Sequence, residues 1–488
     1  MRNAEPPSGP LDAAGTPARA RRFSRGRVVV VGGGVAAVEA VLALRDLTGG
    51  RLVIDMVASE AVLAHRAWSV AQPFGLGAGP VIDLSELARR QAVTLHPARV
   101  AAVDVEGRRV RLAGGSELPY DHLVLAHGAR PAAALAGAVT FVGPQDGPAV
   151  ERVLDDAAAG RCRRIAFVVP PRATWPLPAY ELALMTAIEL RSRGVPDARL
   201  TIVTPERTPL WLFGPAAGEA LVDMLAARGI AVRTSASAVA VEHDGVRLAN
   251  GDVVAADAAL ALPVFEGAPV PGVPCDDRGF VPTDAHGWVA GADGVLAAGD
   301  ATTFPVRQGG LATQQADAAA ESIAAAVGAI DRPSPFRPVL RGLLLTGGAP
   351  LYLRAELSPS GEPRLTASGA RWLEGTTSSR PLWWPPGKIA GRYLAPYLAE
   401  ARPLGYEDRR MVDRTPGAAM GPDDHDDAVA LTLALADEDA ASGDLRRAVE
   451  ALDAAAALAG GALPEAYAKR RERWLADIET AAGTEADR

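Results

Sequence analysis

The clearest chemical signal in the chain is a glycine turn at 32–37, which follows a β-branched run and precedes a helical pattern at 38–47. A strand, a glycine turn and a helix in this order form the usual site for a dinucleotide pyrophosphate. Gly32 permits the tight turn, Gly34 leaves the backbone open to the phosphates, and Ala37 lets the helix pack closely on the strand. The helix N-terminus faces the phosphate charge. We therefore predict a dinucleotide site on these three residues.

The acidic residue that completes a dinucleotide fingerprint is harder to place. It belongs about 20 residues past the glycines, after the second strand, where it binds the ribose hydroxyls. The second strand is predicted at 52–57, and the chain continues with Ser59 and Glu60. Asp55 falls inside the strand, which favours a structural role for it. Glu60 is therefore the candidate for ribose binding.

Two later segments repeat the pattern of a buried strand that ends in a glycine turn. One spans 120–131, and the other spans 294–300 and ends in Gly-Asp. Residues 100–118 alternate as a β-meander. Three ordered segments at these separations resemble the pyridine nucleotide-disulfide oxidoreductase superfamily. Within it, the chain is most similar to type II NADH dehydrogenases, sulfide:quinone oxidoreductases and flavocytochrome c sulfide dehydrogenase flavoproteins.

The resemblance implies that the chain binds FAD. The positions that match the family's cofactor-binding motifs are Gly32, Gly34, Ala37, Val100, Gly128, Gly299, Asp300, Gly310 and Leu311. By this comparison, the Asp300 carboxylate binds the ribityl chain and phosphate, and the backbone near Val100 contacts adenine. The helix N-terminus at 310–311 lies under the pyrimidine ring. His127 stands where the family has Thr or Ser, and the sequence offers no interpretation of that change.

A second strand–turn–helix unit begins at 164–169, where a nicotinamide-nucleotide loop should follow. The loop at 170–181 contains four prolines and no glycine, so it offers few amide donors to a pyrophosphate. It resembles the C-P-x-x-P-Y-E segment of sulfide-oxidising flavoproteins, with Trp175 in place of the redox cysteine. Trp175 is either a flavin-facing platform or a filler between domains. The next strand, 200–204, ends without an acid, although Glu206 follows. The family implies NAD(P)H as donor, whereas this loop predicts weak NAD(P)H binding.

The two cysteines, Cys162 and Cys275, form no close pair, which fits a reducing compartment and gives no reason to expect a metal site. Cys162 precedes the strand at 164–169, at the end opposite the flavin, and Cys275 lies in a surface-like turn. Because neither supplies a thiolate beside the flavin, sulfide oxidation and dithiol reduction are disfavoured.

Composition excludes some classes of partner. The chain of 488 residues is 49% hydrophobic and 22% charged, and its formal net charge of −8 argues against nucleic-acid binding. No apolar run reaches the ~18 residues of a transmembrane helix. Residues 1–26 lack the apolar core of a secretory signal. We expect a cytoplasmic protein, with peripheral contact at the inner membrane face left open.

The C-terminal region is predicted to cover the open face of the flavin, where family members receive quinones or partner proteins. Lys388 is a candidate partner of the flavin or the acceptor, although a solvated cation is the favoured interpretation. Four aromatic residues could form an interfacial membrane belt, but packing over the core is favoured: Trp383, Trp384, Tyr393 and Tyr397.

Beyond a Pro- and Gly-rich linker, helices are predicted at 426–441, 444–458 and 463–478. The segment 436–457 resembles one tetratricopeptide unit. A single unit cannot bury both of its faces, so we expect it to dock on the main body or on a protein partner.

These observations predict an α/β fold with two Rossmann-like dinucleotide-binding domains, a C-terminal interface region and a helical, tetratricopeptide-like tail. The predicted division is a disordered tail (1–26), a first FAD part (27–145), a second Rossmann-like domain (146–265), a second FAD part (266–330), an interface domain (331–410), a linker (411–425) and the helical tail (426–488). The predicted function is an FAD-dependent oxidoreductase that passes hydride or electron pairs to an acceptor, for which a quinone is a candidate. Two alternatives stay open: a donor that is neither a nicotinamide nor sulfide, and a flavin-binding sensor or scaffold that recruits a partner through its tail.

Overall fold

The computed structural model describes residues 26–77, 79–364, 375–383, 385–401, 445–458 and 465–486, together with residues 433, 436, 437, 440 and 463. The tail predicted at 1–26, except Gly26, which begins the first strand, and the linker predicted at 411–425 lie outside these residues.

The first α/β unit is built on a five-stranded parallel sheet. Its elements up to residue 132 are β1 (Gly26–Val31), α1 (Val35–Thr48), β2 (Leu52–Ala58), β3 (Val62–Ala64), β4 (Val81–Asp83), α2 (Leu84–Arg90), β5 (Thr94–Pro97), β6 (Val100–Asp104), β7 (Arg109–Leu112), β8 (Glu117–Pro119), β9 (His122–Leu125) and β10 (Arg130–Ala132). The predicted meander forms as the antiparallel sheet β6-β7-β8.

The second α/β unit repeats this arrangement. Its elements are β11 (Val139–Thr140), α3 (Gly147–Ala158), β12 (Arg164–Val168), α4 (Leu177–Ser192), β13 (Arg199–Val203), α5 (Pro215–Ala227), β14 (Ile230–Arg233), β15 (Ala238–Glu242), β16 (Gly245–Leu248), β17 (Val253–Ala255), β18 (Ala258–Ala261) and β19 (Val264–Glu266). Its parallel sheet has the order β11-β18-β12-β13-β14, and β15-β16-β17 form a second meander. The chain passes from the first unit to the second after β10 and returns after β19, and these two strands pair with each other antiparallel.

The chain then returns to the first sheet. The remaining elements are β20 (Val295–Ala297), α6 (Gly309–Ala326), β21 (Val339–Leu344), β22 (Leu351–Glu356), β23 (Thr376–Ser378), α7 (Leu394–Ala401), α8 (Leu445–Leu458) and α9 (Glu465–Ala486). Strand β20 pairs with β9 and completes the order β20-β9-β1-β2-β5. The predicted α/β class with two Rossmann-like units, the first of them split in sequence, is therefore confirmed. The individual domain boundaries stay predictions.

The C-terminal region packs over both units. Strands β21, β22 and β23 form an antiparallel sheet. The backbone amides of Tyr393 and Leu394, at the start of α7, donate to the buried carboxylate of Glu39 in α1 at 2.9 and 2.7 Å. The ring of Trp383 packs on that of Tyr352 in β22, with 5.2 Å between the ring centroids. The rings of Tyr393 and Tyr397 are partly buried against the hydrophobic core of the first unit. The packing interpretation thus holds for Trp383, Tyr393 and Tyr397; Trp384 lies outside the described residues.

The tail has a hydrophobic cluster of its own. Within the described residues, the cluster contains Leu433, Ala436, Ala448, Val449, Leu452, Ala455 and Trp474, all from the tail. Helices α8 and α9 match the second and third predicted helices, although α9 extends further than predicted. The helix predicted at 426–441 falls mostly outside the described residues, and docking of the tail stays a prediction. No helix in the described part of the chain is long and apolar enough to cross a membrane.

Candidate functional site

The glycine turn after β1 has the geometry that a pyrophosphate site needs. Gly32 has a φ of 132°, and a Cβ there would lie 2.2 Å from the carbonyl oxygen of Ala126. A Cβ on Gly34, in contrast, would meet no atom within 4 Å. The turn is thus closed towards β9 at Gly32 and open to solvent space at Gly34, where a bound phosphate requires room.

The N-terminus of α1 is equally suited to an anion. Gly34 is the N-cap residue, no side chain caps the helix, and its first turn carries no acidic residue. The first amides of a helix have no intrahelical acceptor, so a ligand phosphate satisfies them and gains from the helix dipole. Ala37 is fully buried, in the cluster where α1 packs on α6. Together these features fit the pyrophosphate of FAD.

Asp300 lies beside this turn, in a short 3-10 helix (Gly299–Ala301) after β20. A Cβ on Gly299 would come within 2.9 Å of the Cβ of Ala36, so this glycine is needed for close packing. Among the described residues the Asp300 carboxylate has no hydrogen-bond partner. Burial raises the pKa of Asp300, while Arg307 and Arg66 oppose that rise. A half-buried carboxylate without a protein partner fits a hydroxyl-rich ligand such as a ribityl chain.

The histidine at 127, which precedes the turn at Gly128, has a structural role. Gly128 has a φ of 79°, and a Cβ there would meet no atom within 4 Å. The His127 Nε2 atom lies 2.9 Å from the carbonyl oxygen of Ala268, just past β19. Burial lowers the pKa of His127. The neutral ring therefore links the turn to the segment after β19, where the chain crosses back to the first unit. The shorter side chain of Thr or Ser would not reach this carbonyl oxygen.

The two positions predicted for the adenosine half lie near the end of β2. Glu60 is exposed, two residues beyond that strand. Val100 begins β6, and the nearby Ala98 amide donates to the carbonyl oxygen of Ala58 at 3.1 Å. Asp55 is buried and pairs with Arg27 at 2.6 Å, in agreement with its predicted structural role. Contact of Glu60 and Val100 with FAD stays a prediction.

The N-terminus of α6 is capped by the chain itself. The Gln308 side chain accepts a hydrogen bond from the Leu311 amide at 2.9 Å and donates one to the carbonyl oxygen of Arg341. A Cβ on Gly310 would lie 3.7 Å from the amide nitrogen of Ala390. The segment that leads to α7 thus covers the helix end at which Gly310 and Leu311 are predicted to meet the flavin.

Lys388 is not the solvated cation that the sequence favours. Its Nζ atom is buried and lies 2.5 Å from Oε1 of Glu181 in α4. The same oxygen accepts a hydrogen bond from the Leu345 amide at 2.8 Å. Burial lowers the pKa of Lys388 and raises that of Glu181, and each partner's charge opposes the shift of the other. The prediction of solvation is wrong because this region packs on α4 instead of facing water.

Two buried groups lie next to Lys388, and the sequence assigned neither of them a chemical role. Glu181 was noted only as the acid of the segment that resembles C-P-x-x-P-Y-E, although a charge in the apolar first half of α4 is itself a signal. His65 offered no signal. Burial lowers the pKa of His65 to about 4, and the charge of Lys388 acts in the same direction.

The carboxyl ends of β12 and β13 border a cavity of about 810 Å³. Trp175 is half-buried and packs on Phe213 with 6.0 Å between ring centroids. It packs against the hydrophobic core of the second unit and does not line the cavity. This placement favours the space-filling interpretation of Trp175. Cys162 is buried, and burial raises its pKa to about 11; Cys275 is exposed.

Fold and site together define a flavoprotein with two dinucleotide-binding units. The sequence matches the family described as pyridine nucleotide-disulphide oxidoreductase over residues 26–166 and 180–328, and the chain belongs to that family. It is therefore an FAD-dependent oxidoreductase, and its second domain is of the type that binds nicotinamide nucleotides in this family.

Relatives agree with this assignment. The chain is 26% identical over 301 residues to the ferredoxin–NAD(+) reductase component of the biphenyl dioxygenase system of Paraburkholderia xenovorans (strain LB400), which covers 58% of this chain and 69% of that protein. The sulfide:quinone oxidoreductase of Aquifex aeolicus has a TM-score of 0.64 at 20% identity, covering 72% of this chain and 87% of that one. The putidaredoxin reductase of a complex with putidaredoxin has a TM-score of 0.54 at 19% identity, covering 79% and 99%. The two structures show a shared fold alone.

Proposed function

We propose that the protein oxidises a reduced nicotinamide nucleotide in the second-unit cavity and passes the electron pair through FAD to a quinone. The balanced reaction is NAD(P)H + H⁺ + quinone → NAD(P)⁺ + quinol. Bound FAD supplies the two-electron chemistry, and the chain's residues supply position and protons. A cytoplasmic location, with peripheral contact to the membrane that holds the quinone, is part of this proposal.

The observation that supports a quinone is the buried Lys388–Glu181 pair. A quinone takes up two protons with its two electrons, whereas an iron–sulfur protein such as a ferredoxin takes up electrons alone. The ammonium of Lys388 can donate a proton, and Glu181 can hold the next one, because burial brings their pKa values towards each other. The pair lies beside the N-terminus of α6, which Ile389 and Ala390 contact directly. An acceptor at this helix end would be within reach of its proton.

The test compares a proton-coupled acceptor with one that needs no proton. Holoprotein turnover is measured with a short-chain quinone and with ferricyanide. We expect Lys388→Met to lower the quinone rate at least tenfold more than the ferricyanide rate. Removing one member of a buried ion pair costs about 3–5 kcal/mol of stability, so the double variant Lys388→Met/Glu181→Gln is measured as well.

The matched control is Lys469→Met, which removes an exposed lysine paired with Glu465 in α9 at 2.6 Å. Both of its rates should equal those of the wild type. Equal losses of both activities in the Lys388 variants, or no quinone reduction by the wild type, would contradict the proposal. Flavin reduction by other donors only would favour the non-nicotinamide alternative, and no turnover with any acceptor would favour the sensor or scaffold.

A further inference from the structure

The cavity of the second unit has an unusual source of positive charge. Most of its lining comes from three segments of that unit, and the rest comes from elsewhere in the chain: 169, 171–174 and 176; 205–208; 211–212 and 214–215; then 278, 305–306 and 361–362. Its volume of about 810 Å³ is in the range of small-molecule sites. Arg172 and Arg207 both line it, both are exposed, and among the described residues neither has a hydrogen-bond or ion-pair partner. Arg278 adds a third guanidinium.

Backbone amides contribute little to this cavity. The loop before α4 places Pro176 at the N-cap and Pro178 in the first turn, so two amide donors are missing. The amide of Ala173 already donates to Pro170 at 2.9 Å, and that of Ala179 to Pro176 at 3.0 Å. A phosphorylated ligand must therefore find its donors mainly on side chains.

The acid that could accept hydrogen bonds from a ribose is engaged inside the protein. Glu206 is 9% exposed, and its Oε2 atom accepts hydrogen bonds from the Tyr180 hydroxyl at 2.5 Å and the Thr204 hydroxyl at 2.9 Å. The backbone amides of Leu210 and Trp211 also lower its pKa, against the larger effect of burial. Glu206 thus holds the loop after β13 in shape. The next residue, Arg207, is the charge that the loop presents to the cavity.

We propose that Arg207 selects NADPH over NADH by binding the 2′-phosphate, while Arg172 supports the pyrophosphate. At the tip of the second strand of a Rossmann unit, a free carboxylate accepts the ribose 2′-hydroxyl of NADH, whereas an arginine accommodates the 2′-phosphate of NADPH. Here Oε2 of Glu206 is occupied and Oε1 is buried without a hydrogen-bond partner, whereas the Arg207 guanidinium is exposed to the cavity and has no partner among the described residues. Arginine also matches phosphate with two parallel hydrogen bonds. This inference rests on the proposed donor class and names its member.

The first arm of the test uses ligands that carry no reducing power. The affinities of the holoprotein for 2′,5′-ADP and 5′-AMP are measured by calorimetric titration. We expect 2′,5′-ADP to bind at least tenfold more tightly, within the tenfold to hundredfold range of charge-assisted hydrogen bonds. Arg207→Gln should reduce this ratio to within about threefold. The control Arg163→Gln removes an exposed arginine at the amino end of β12, outside the cavity, and should leave the ratio unchanged.

The second arm follows anaerobic flavin reduction by stopped flow. We expect kcat/KM for NADPH to exceed that for NADH at least tenfold, and NADH to bind in the millimolar range. Equal efficiency of the two nucleotides, or a 2′,5′-ADP preference that survives Arg207→Gln, would overturn the inference and leave the proposed donor class intact. An Arg207-dependent preference without flavin reduction by either nucleotide would support the phosphate site and overturn the proposed donor. Micromolar NADH that bleaches the flavin within milliseconds would show that the loop after β12 has been misinterpreted.

Discussion

The two parallel sheets share one arrangement of strands, yet the turns after their central strands, β1 and β12, differ completely. In the first unit, the turn at 32–37 follows β1 with open space at Gly34 and an uncapped helix N-terminus. In the second unit, the turn at 170–176 follows β12 with prolines and internally bonded amides. The strands that flank the turns are equally buried in both units. The fold thus depends on the strand pattern, while the means of binding an anion depends on a few turn residues.

A second contrast separates two sites, the buried Lys388–Glu181 pair and the cavity of the second unit. At the first of these, His65, Glu181 and Lys388 are each less than a tenth exposed. At the second site the guanidinium groups of Arg172 and Arg207 are exposed. Buried charges respond strongly to pH and to loss of a partner, whereas exposed charges respond mainly to salt. Perturbations of the two sites should therefore have different signatures.

The largest expected effect is loss of FAD from Gly34→Val. A Cβ at this position meets no protein atom, and the backbone φ of −86° suits valine, so the chain should fold. The branched side chain would occupy the space that the pyrophosphate requires. We expect purified Gly34→Val to be colourless apoprotein and the wild type to be yellow, with non-covalent FAD that denaturation releases.

The matched control is Gly114→Val. Gly114 lies in the turn between β7 and β8, and a Cβ there also meets no atom within 4 Å. Its variant should keep full flavin content, measured by absorbance after heat release. A colourless wild type from flavin-replete cells, or a yellow Gly34→Val, would break the contrast between the two turns.

The sequence predicts well those elements that are formed by residues close together in the chain. The β-branched run before Gly32 and the alternating residues of the meander specify β1 and β6–β8, because period and turn chemistry suffice. The site's long-range pairs are different. Lys388 and Glu181 are 207 positions apart, and His127 and Ala268 are 141 apart. The residues around Lys388 do not indicate which distant side chains will bury its charge. For that reason the sequence favours a solvated lysine, and the structure differs.

An intermediate effect is expected from His65, which tests whether burial shifts the pKa values of the ionisable groups around Lys388. Its pKa is lowered from 6.5 to about 4 in the folded protein, so the unfolded chain binds the proton first as pH falls. Its contribution to stability is complete above pH 6.5 and is lost between pH 6.5 and 4. At pH 4.5 the loss amounts to about 2–3 kcal/mol.

The measurement is urea unfolding with excess FAD at pH 7.5 and 4.5. We expect His65→Gln to lose about 2–3 kcal/mol less than the wild type between these two pH values. His243→Gln changes an exposed histidine in the second unit, between β15 and β16, and should keep the wild-type loss. Identical pH dependence of the wild type and His65→Gln would show that His65 is not held neutral by burial.

The smallest effect is expected from removal of both cysteines. Neither cysteine lies at the carboxyl edge of a parallel sheet, where the turns after β1 and β12 are found. Cys162 lies before β12, at the opposite end of the sheet, and its pKa of about 11 leaves almost no thiolate at neutral pH. Cys275 is exposed, in the segment between β19 and β20. We expect Cys162→Ser/Cys275→Ser to keep its flavin content and to turn over within a few-fold of the wild type.

Some stability should be lost in the double variant, since the serine hydroxyl at position 162 is buried. The single variant Cys275→Ser separates that loss from any chemical one. A fall in turnover of more than about a hundredfold with FAD retained, equivalent to ~2.7 kcal/mol of transition-state stabilisation, would return a thiol to the mechanism.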